Sequence, residues 1–209
     1  MNDPLHSRAD RIARLETEWW EAYYHRQWLR EFRLLIAMHR EFFRMGGLTA
    51  VAASYDAARA AIAFAPVDGN DIPKARRFLL RYYEKVRRAL DCQAGAADLA
   101  ERELDYWIIH RQVASRRLIE VNAGRPVDDP DLDEIAPVTA AFAPLHAGLF
   151  NSTEEAMHQS AVHRAQATAV VDRISGRYSP DVAGDWTRVE QYLRLAYRAI
   201  EEAVETLTP

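Results

Sequence analysis

The sequence is poor in the residues that staple, break or advertise a fold. A single cysteine, Cys92, excludes an intramolecular disulfide, and such cysteine usage fits a reducing compartment. No apolar run approaches the ~18 residues that a membrane-spanning helix needs. The stretch Met1–Asp10 is polar and carries no apolar stretch of the signal-peptide kind. These absences lead to the expectation of a cytoplasmic protein without membrane attachment. Basic excess is lacking too: the net charge is −4, and Lys74 and Lys85 are the only lysines. Arginines are spread among Glu and Asp, so neither a nucleic-acid surface nor a basic recognition helix is expected. Gly-rich phosphate loops, Cys-x-x-Cys and Gly-x-Ser-x-Gly are all missing, which removes the common nucleotide, redox and hydrolase signatures.

Glycine and proline are sparse and clustered at Gly46-Gly47, Pro66–Pro73, Gly124–Pro130, Pro137 and Gly176–Gly184. Between them the apolar spacing is helical, and no segment alternates as a strand would. Leu15, Ala22, Leu29, Ile36 and Phe43 recur at steps of seven, which predicts one long helix from about Ser7 to Met45. Val51, Tyr55, Ala58 and Ile62 form the expected stripe of a second helix, about 49–64. A third begins at Asp71-Ile72-Pro73, an acidic cap with proline in the first turn. A fourth is expected over about 98–121, then an acidic, proline-containing loop at 122–137 and a short helix over 138–150. Ser152-Thr153-Glu154-Glu155 reads as a capping box for the next helix, and Asp185 as the cap of the last. The expectation is an all-α bundle of six to seven helices, one domain over 1–209.

The two halves resemble each other. Glu16-Thr17-Glu18-Trp19-Trp20 aligns with Glu103-Leu104-Asp105-Tyr106-Trp107, Met38-His39 with Leu145-His146, and Leu79/Tyr83/Val86 with Leu193/Tyr197/Ile200. Two degenerate three-helix repeats, about 8–92 and 98–207, are expected to pack about a pseudo-two-fold axis, with 122–137 as an insertion in the second. A functional site would then lie between the halves.

Histidine and glutamate are the candidates for chemistry. Glu18 and His25 stand seven apart, and so do Glu103 and His110; His39 continues the first series. Glu155 and His158 share a helix face. Glutamates and Glu-x-x-His pairs from facing helices hold di-iron or di-manganese sites in helical bundles. The Glu-x6-His step is similar to one found among heme-oxygenase-like di-iron oxidases, a likeness confined to a few residues. The metal reading takes Glu18, His25, His39, Glu103, His110, Glu155 and His158 as the candidate ligands for iron or manganese, two or three of them bystanders. The bland alternative makes them hydrogen-bonded boundary residues that need no cofactor. Trp19, Trp20, Tyr23, Tyr24 and Trp28 crowd one segment and cannot all face one core. With no catalytic motif to assign, three functions stay open. The favoured one is a non-catalytic bundle that binds a partner protein or a second copy of itself. The others are a metal-dependent oxidase or oxygenase, and a bundle that binds a small molecule between its helices.

Overall fold

The computed structural model describes residues 4–205. Residues 1–3 and 206–209, which include the start of the polar N-terminal stretch and the end of the expected second repeat, lie outside the described residues. The described chain is all-helical, with eight helices: α1 (Pro4–Tyr24), α2 (Trp28–Phe42), α3 (Gly47–Phe64), α4 (Ile72–Leu90), α5 (Ala96–Asn122), α6 (Leu132–Leu149), α7 (Glu154–Ser175) and α8 (Val182–Glu205). Among the described residues none of these is long and apolar enough to cross a membrane.

The count exceeds the expected six to seven because the first segment is two helices, not one. The break at His25–Gln27 has a left-handed residue, Arg26 at φ 56°. Gln27 N–H donates to the Ala22 carbonyl and Arg26 N–H to that of Tyr23. This is a Schellman ending made without glycine. Asp91, Asn151 and Arg177 end α4, α6 and α7 with the same left-handed turn, and each is followed by a backbone bond to the carbonyl five residues back. The break redirects the stripe, so Leu29, placed in the first seven-residue series, is 80% exposed.

Side-chain burial corrects two more expectations. On α3 the stripe Val51, Tyr55 and Ile62 faces outward, while Ala50, Ala53, Ala60 and Ala63 pack inward with Ser54 and Asp56. Backbone-to-backbone approach, which alanine allows, decides the face here. The acidic loop is also shorter than expected. α6 starts at Leu132 and continues through Pro137 and Pro144. What remains of the loop is held down, since the Asp128 carbonyl accepts from both Arg117 Nη2 (2.8 Å) and Arg173 Nη1 (3.1 Å). Asp185 is not the cap of α8 but the buried partner of Arg173, at 2.7 Å. Asp181 accepts the first-turn N–H of Gly184 instead. Asp71 caps α4 as expected, through Lys74 N–H, and Thr153 caps α7 through Ala156 N–H.

Each helix packs on the next, and α8 returns to α1, so the neighbours form a closed ring. One core cluster draws on α3 to α6 with Ala161, Ala165 and Ala169 of α7. The other joins α1, α7 and α8, with Phe42 and Phe150 touching both. The candidate site occupies the space these helices enclose.

Candidate functional site

A cavity of about 480 Å³ lies inside the ring, walled by residues of α1 to α8. Aromatic rings dominate its lining, with Trp20, Phe42, Tyr82, Tyr106, Trp107 and Phe142 among them. Tyr106 and Phe142 meet at a tilt of 32°, centroids 3.8 Å apart, and Phe42 and Tyr197 meet edge to face at 4.9 Å. The lining residues Tyr24 and Ala65 are exposed and mark the side on which the cavity meets the surface. Beside them Arg111 lies over the Phe64 ring at 3.9 Å and donates to the Phe64 and Pro66 carbonyls, so it finishes α3 while forming the rim.

Against this apolar wall stand a few polar groups, drawn from several helices. Glu16 of α1, 1% exposed, accepts two bonds from Arg164 of α7 and one from the Tyr197 hydroxyl of α8. Glu103 of α5 accepts from the Tyr83 hydroxyl of α4 (2.8 Å) and from Trp107 Nε1 (2.7 Å). Burial pushes the Glu103 carboxyl up from its ordinary range, and the Tyr83 hydrogen bond only partly opposes this. His110 of α5 lies 3.0 Å from the Asp172 carboxylate of α7. Burial alone would lower its pKa, but the Asp172 charge and hydrogen bond outweigh burial, and the net shift is upward.

Two histidines are held by serines. His39 Nδ1 is 2.8 Å from Ser54 Oγ, and its Nε2 is 3.1 Å from the Tyr82 hydroxyl. His146 Nδ1 is 2.8 Å from Ser160 Oγ, and its Nε2 has no hydrogen-bond partner among the described residues. Burial drives both imidazoles down, to about 4 for His39 and about 3 for His146, with Arg164 adding to the effect at His146. Both are therefore neutral near pH 7.

The structure gathers three of the seven residues read as metal ligands and leaves four elsewhere. His39, Glu103 and His110 line the cavity. Glu18 instead pairs with Arg14 at 2.9 Å, half-exposed. Two residues along a helix are about 200° around it, so with Glu16 turned inward Glu18 must turn out. His25 is exposed in the α1–α2 link, and Glu155 and His158 are exposed in the first turns of α7. Among the described residues no three His, Cys, Asp or Glu side chains are grouped as a metal site. The Glu103/His110 step does place both residues on one face, as the spacing implied.

No family model, curated protein or solved structure matches this chain. The reading of the site rests on its own geometry.

Sequence reasoning passed over Glu16, Arg164, Asp172 and His146 as site residues. Glu16 and His146 appear in the aligned halves, where the recurrence of a polar residue in an apolar stripe was the available signal. Arg164 and Asp172 have no counterpart in the other half and carry no such signal.

Proposed function

We propose that this protein binds a small organic molecule in the cavity enclosed by its helices. The cavity itself carries the reading. Its volume falls within the ~300–1,000 Å³ of small-molecule sites, and its walls combine aromatic surface with a few oriented polar groups, as such sites do. A core of this size ordinarily closes on itself, since interiors pack to crystal-like density. Binding of the neutral fluorescent probe phenyl-naphthylamine tests the proposal. The probe should bind the folded protein, and Ala61→Trp, which fills the wall from α3, should abolish binding while the helical circular-dichroism signal persists. Undiminished binding by the filled variant would place the probe elsewhere and sink the reading.

We further infer that the chain is a duplicated unit of four helices, α1–α4 and α5–α8, related by a pseudo-two-fold axis. Support comes from the paired contacts. Glu16 and Glu103 each accept from a tyrosine of the opposite half, Tyr197 and Tyr83. His39 and His146 each bond a serine on the following helix at 2.8 Å. The aligned residues thus make matching contacts, across the halves for one pair and within them for the other.

A second reading, association with a partner protein or another copy of the chain, is favoured by one observation. Leu48, Val51, Tyr55 and Ile62 form an exposed apolar stripe on the outer face of α3, with Leu48 at 90% exposure. Charged substitutions at Leu48 and Ile62 should then change the mass seen by light scattering in the presence of the partner or of excess chain, and no change would count against it.

A further inference from the structure

The two matching carboxylates in the cavity are not matched in charge. Glu16 is neutralised by Arg164, whose two terminal nitrogens both lie on it. Glu103 receives only neutral donors, the Tyr83 hydroxyl and Trp107 Nε1, and forms no ion pair among the described residues. Arg164 is near enough for Glu103 to feel its charge. One guanidinium therefore serves two carboxylates, and the centre of the cavity is short of one positive charge. In the aligned halves the position of Arg164 falls on Ala58, counting four residues on from the serines Ser160 and Ser54. Ala58 lines the cavity and leaves open the space that a cation would fill.

His146 gives an independent indication. The Ser160 hydroxyl lies 2.9 Å from the Met157 carbonyl and 2.8 Å from His146 Nδ1, and when its single proton goes to the carbonyl it accepts from Nδ1. In that tautomer the neutral ring carries its proton on Nδ1 and a bare lone pair on Nε2. In the first half the equivalent nitrogen, His39 Nε2, is met by the Tyr82 hydroxyl. The residue before Tyr197, the counterpart of Tyr82, is Ala196, and His146 Nε2 is left without a partner. His146 is 6% exposed, lines the cavity and offers an acceptor there. Its Nε2 is open to the cavity, and a ligand that donates there gains a hydrogen bond.

We propose that the cavity takes a hydrophobic amine whose protonated nitrogen pairs with the Glu103 carboxylate, in the place that Arg164 takes beside Glu16. The aromatic walls suit both parts of such a molecule, since ring faces attract cations as well as apolar groups. The His146 lone pair accepts a further N–H or O–H of the ligand. This inference rests on the reading of the cavity as a binding site, and the experiment separates the two.

Isothermal titration calorimetry on the full chain compares three molecules of one shape and different charge: phenethylamine, phenethyl alcohol and phenylpropionate. The amine should bind at least ~10-fold more tightly than the alcohol, as a charge-assisted bond in a dry site requires, and the anion should bind least. Glu103→Gln keeps an acceptor for Tyr83 or Trp107 and should reduce the amine to the affinity of the alcohol while leaving the alcohol within about 2-fold. Ala58→Arg, which supplies the missing guanidinium from the chain itself, should also erase the amine's advantage, and it serves if Glu103→Gln melts early. If the alcohol displaces phenyl-naphthylamine and the amine binds no better, the cavity is a site but the amine proposal is wrong. An amine preference that survives both substitutions overturns it equally. If none of the three binds and Ala61→Trp leaves the probe unaffected, both readings fall.

Discussion

At the scale of single residues, the polar interior decides more than the apolar one. Arg164 has its guanidinium nitrogens on Glu16 and lies 5.3 Å from the centre of the Phe142 ring. Removing Arg164 strands a carboxylate that is only 1% exposed. Arg164→Leu should therefore cost about 3–5 kcal/mol in urea unfolding, whereas the double change Glu16→Leu/Arg164→Leu should recover a good part of it. A single mutant as stable as the parent would show that the pair is not buried in solution. None of this was legible beforehand. Glu16 and Glu18 look alike in the sequence, both within one turn of Leu15 and Trp19, and only the helix's rotation distinguishes the buried carboxylate from the one paired with Arg14. His110 was placed on the correct face by its seven-residue step from Glu103. Its partner Asp172, sixty-two residues on, could not be read from any local pattern.

Elements were more legible than residues, and where they were missed the reason is local. The spans of α3, α4, α5 and α7 follow from periodicity and from caps such as Asp71. The α1–α2 break was invisible because its left-handed residue is Arg26 rather than glycine. A non-glycine residue pays about 1–2 kcal/mol for that conformation. Arg26→Gly should accordingly raise the unfolding free energy by up to about 1 kcal/mol, after the greater freedom of glycine in the unfolded chain is subtracted. Loss of stability on this substitution would mean that the Arg26 side chain holds the turn. The tie between loop and helix offers a sharper case. Arg173 bonds the Asp128 carbonyl and the Asp185 carboxylate at once. Arg173→Ala should cost about 3–5 kcal/mol and free the 123–131 loop, seen as faster amide exchange and cleavage there. Protection that stays unchanged in the loop would show that Arg117 alone suffices.

For the whole molecule, closing eight helices around an open interior makes stability depend on pH in a readable way. His39 and His146 are buried neutral, at about 4 and about 3, against an ordinary value of 6.5 in the unfolded chain. Between these values the unfolded state binds more protons than the folded one, so stability rises with pH across that window and is lost on acidification. The loss is on the order of 3 kcal/mol per histidine once the pH has fallen to about 4, since each tenfold change in proton affinity is about 1.36 kcal/mol. Two other groups slope the opposite way. His110, raised by Asp172, stabilises the fold below 6.5, and that contribution disappears as the pH climbs through its raised value. Glu103, raised by burial, favours the fold while protonated and loses that advantage as the pH rises above 4.5 through its own raised value. The two buried histidines outweigh Glu103 on the acid side because their shifts are large and act together. Urea unfolding at a series of pH values should thus show a steep fall below about pH 6.5. The variant His39→Gln/His146→Gln keeps hydrogen-bonding groups beside Ser54 and Ser160 and cannot protonate, so its acid slope should be shallow even if its stability at pH 7 is lower. An acid slope equal to the parent's would assign the proton uptake to groups other than these two histidines.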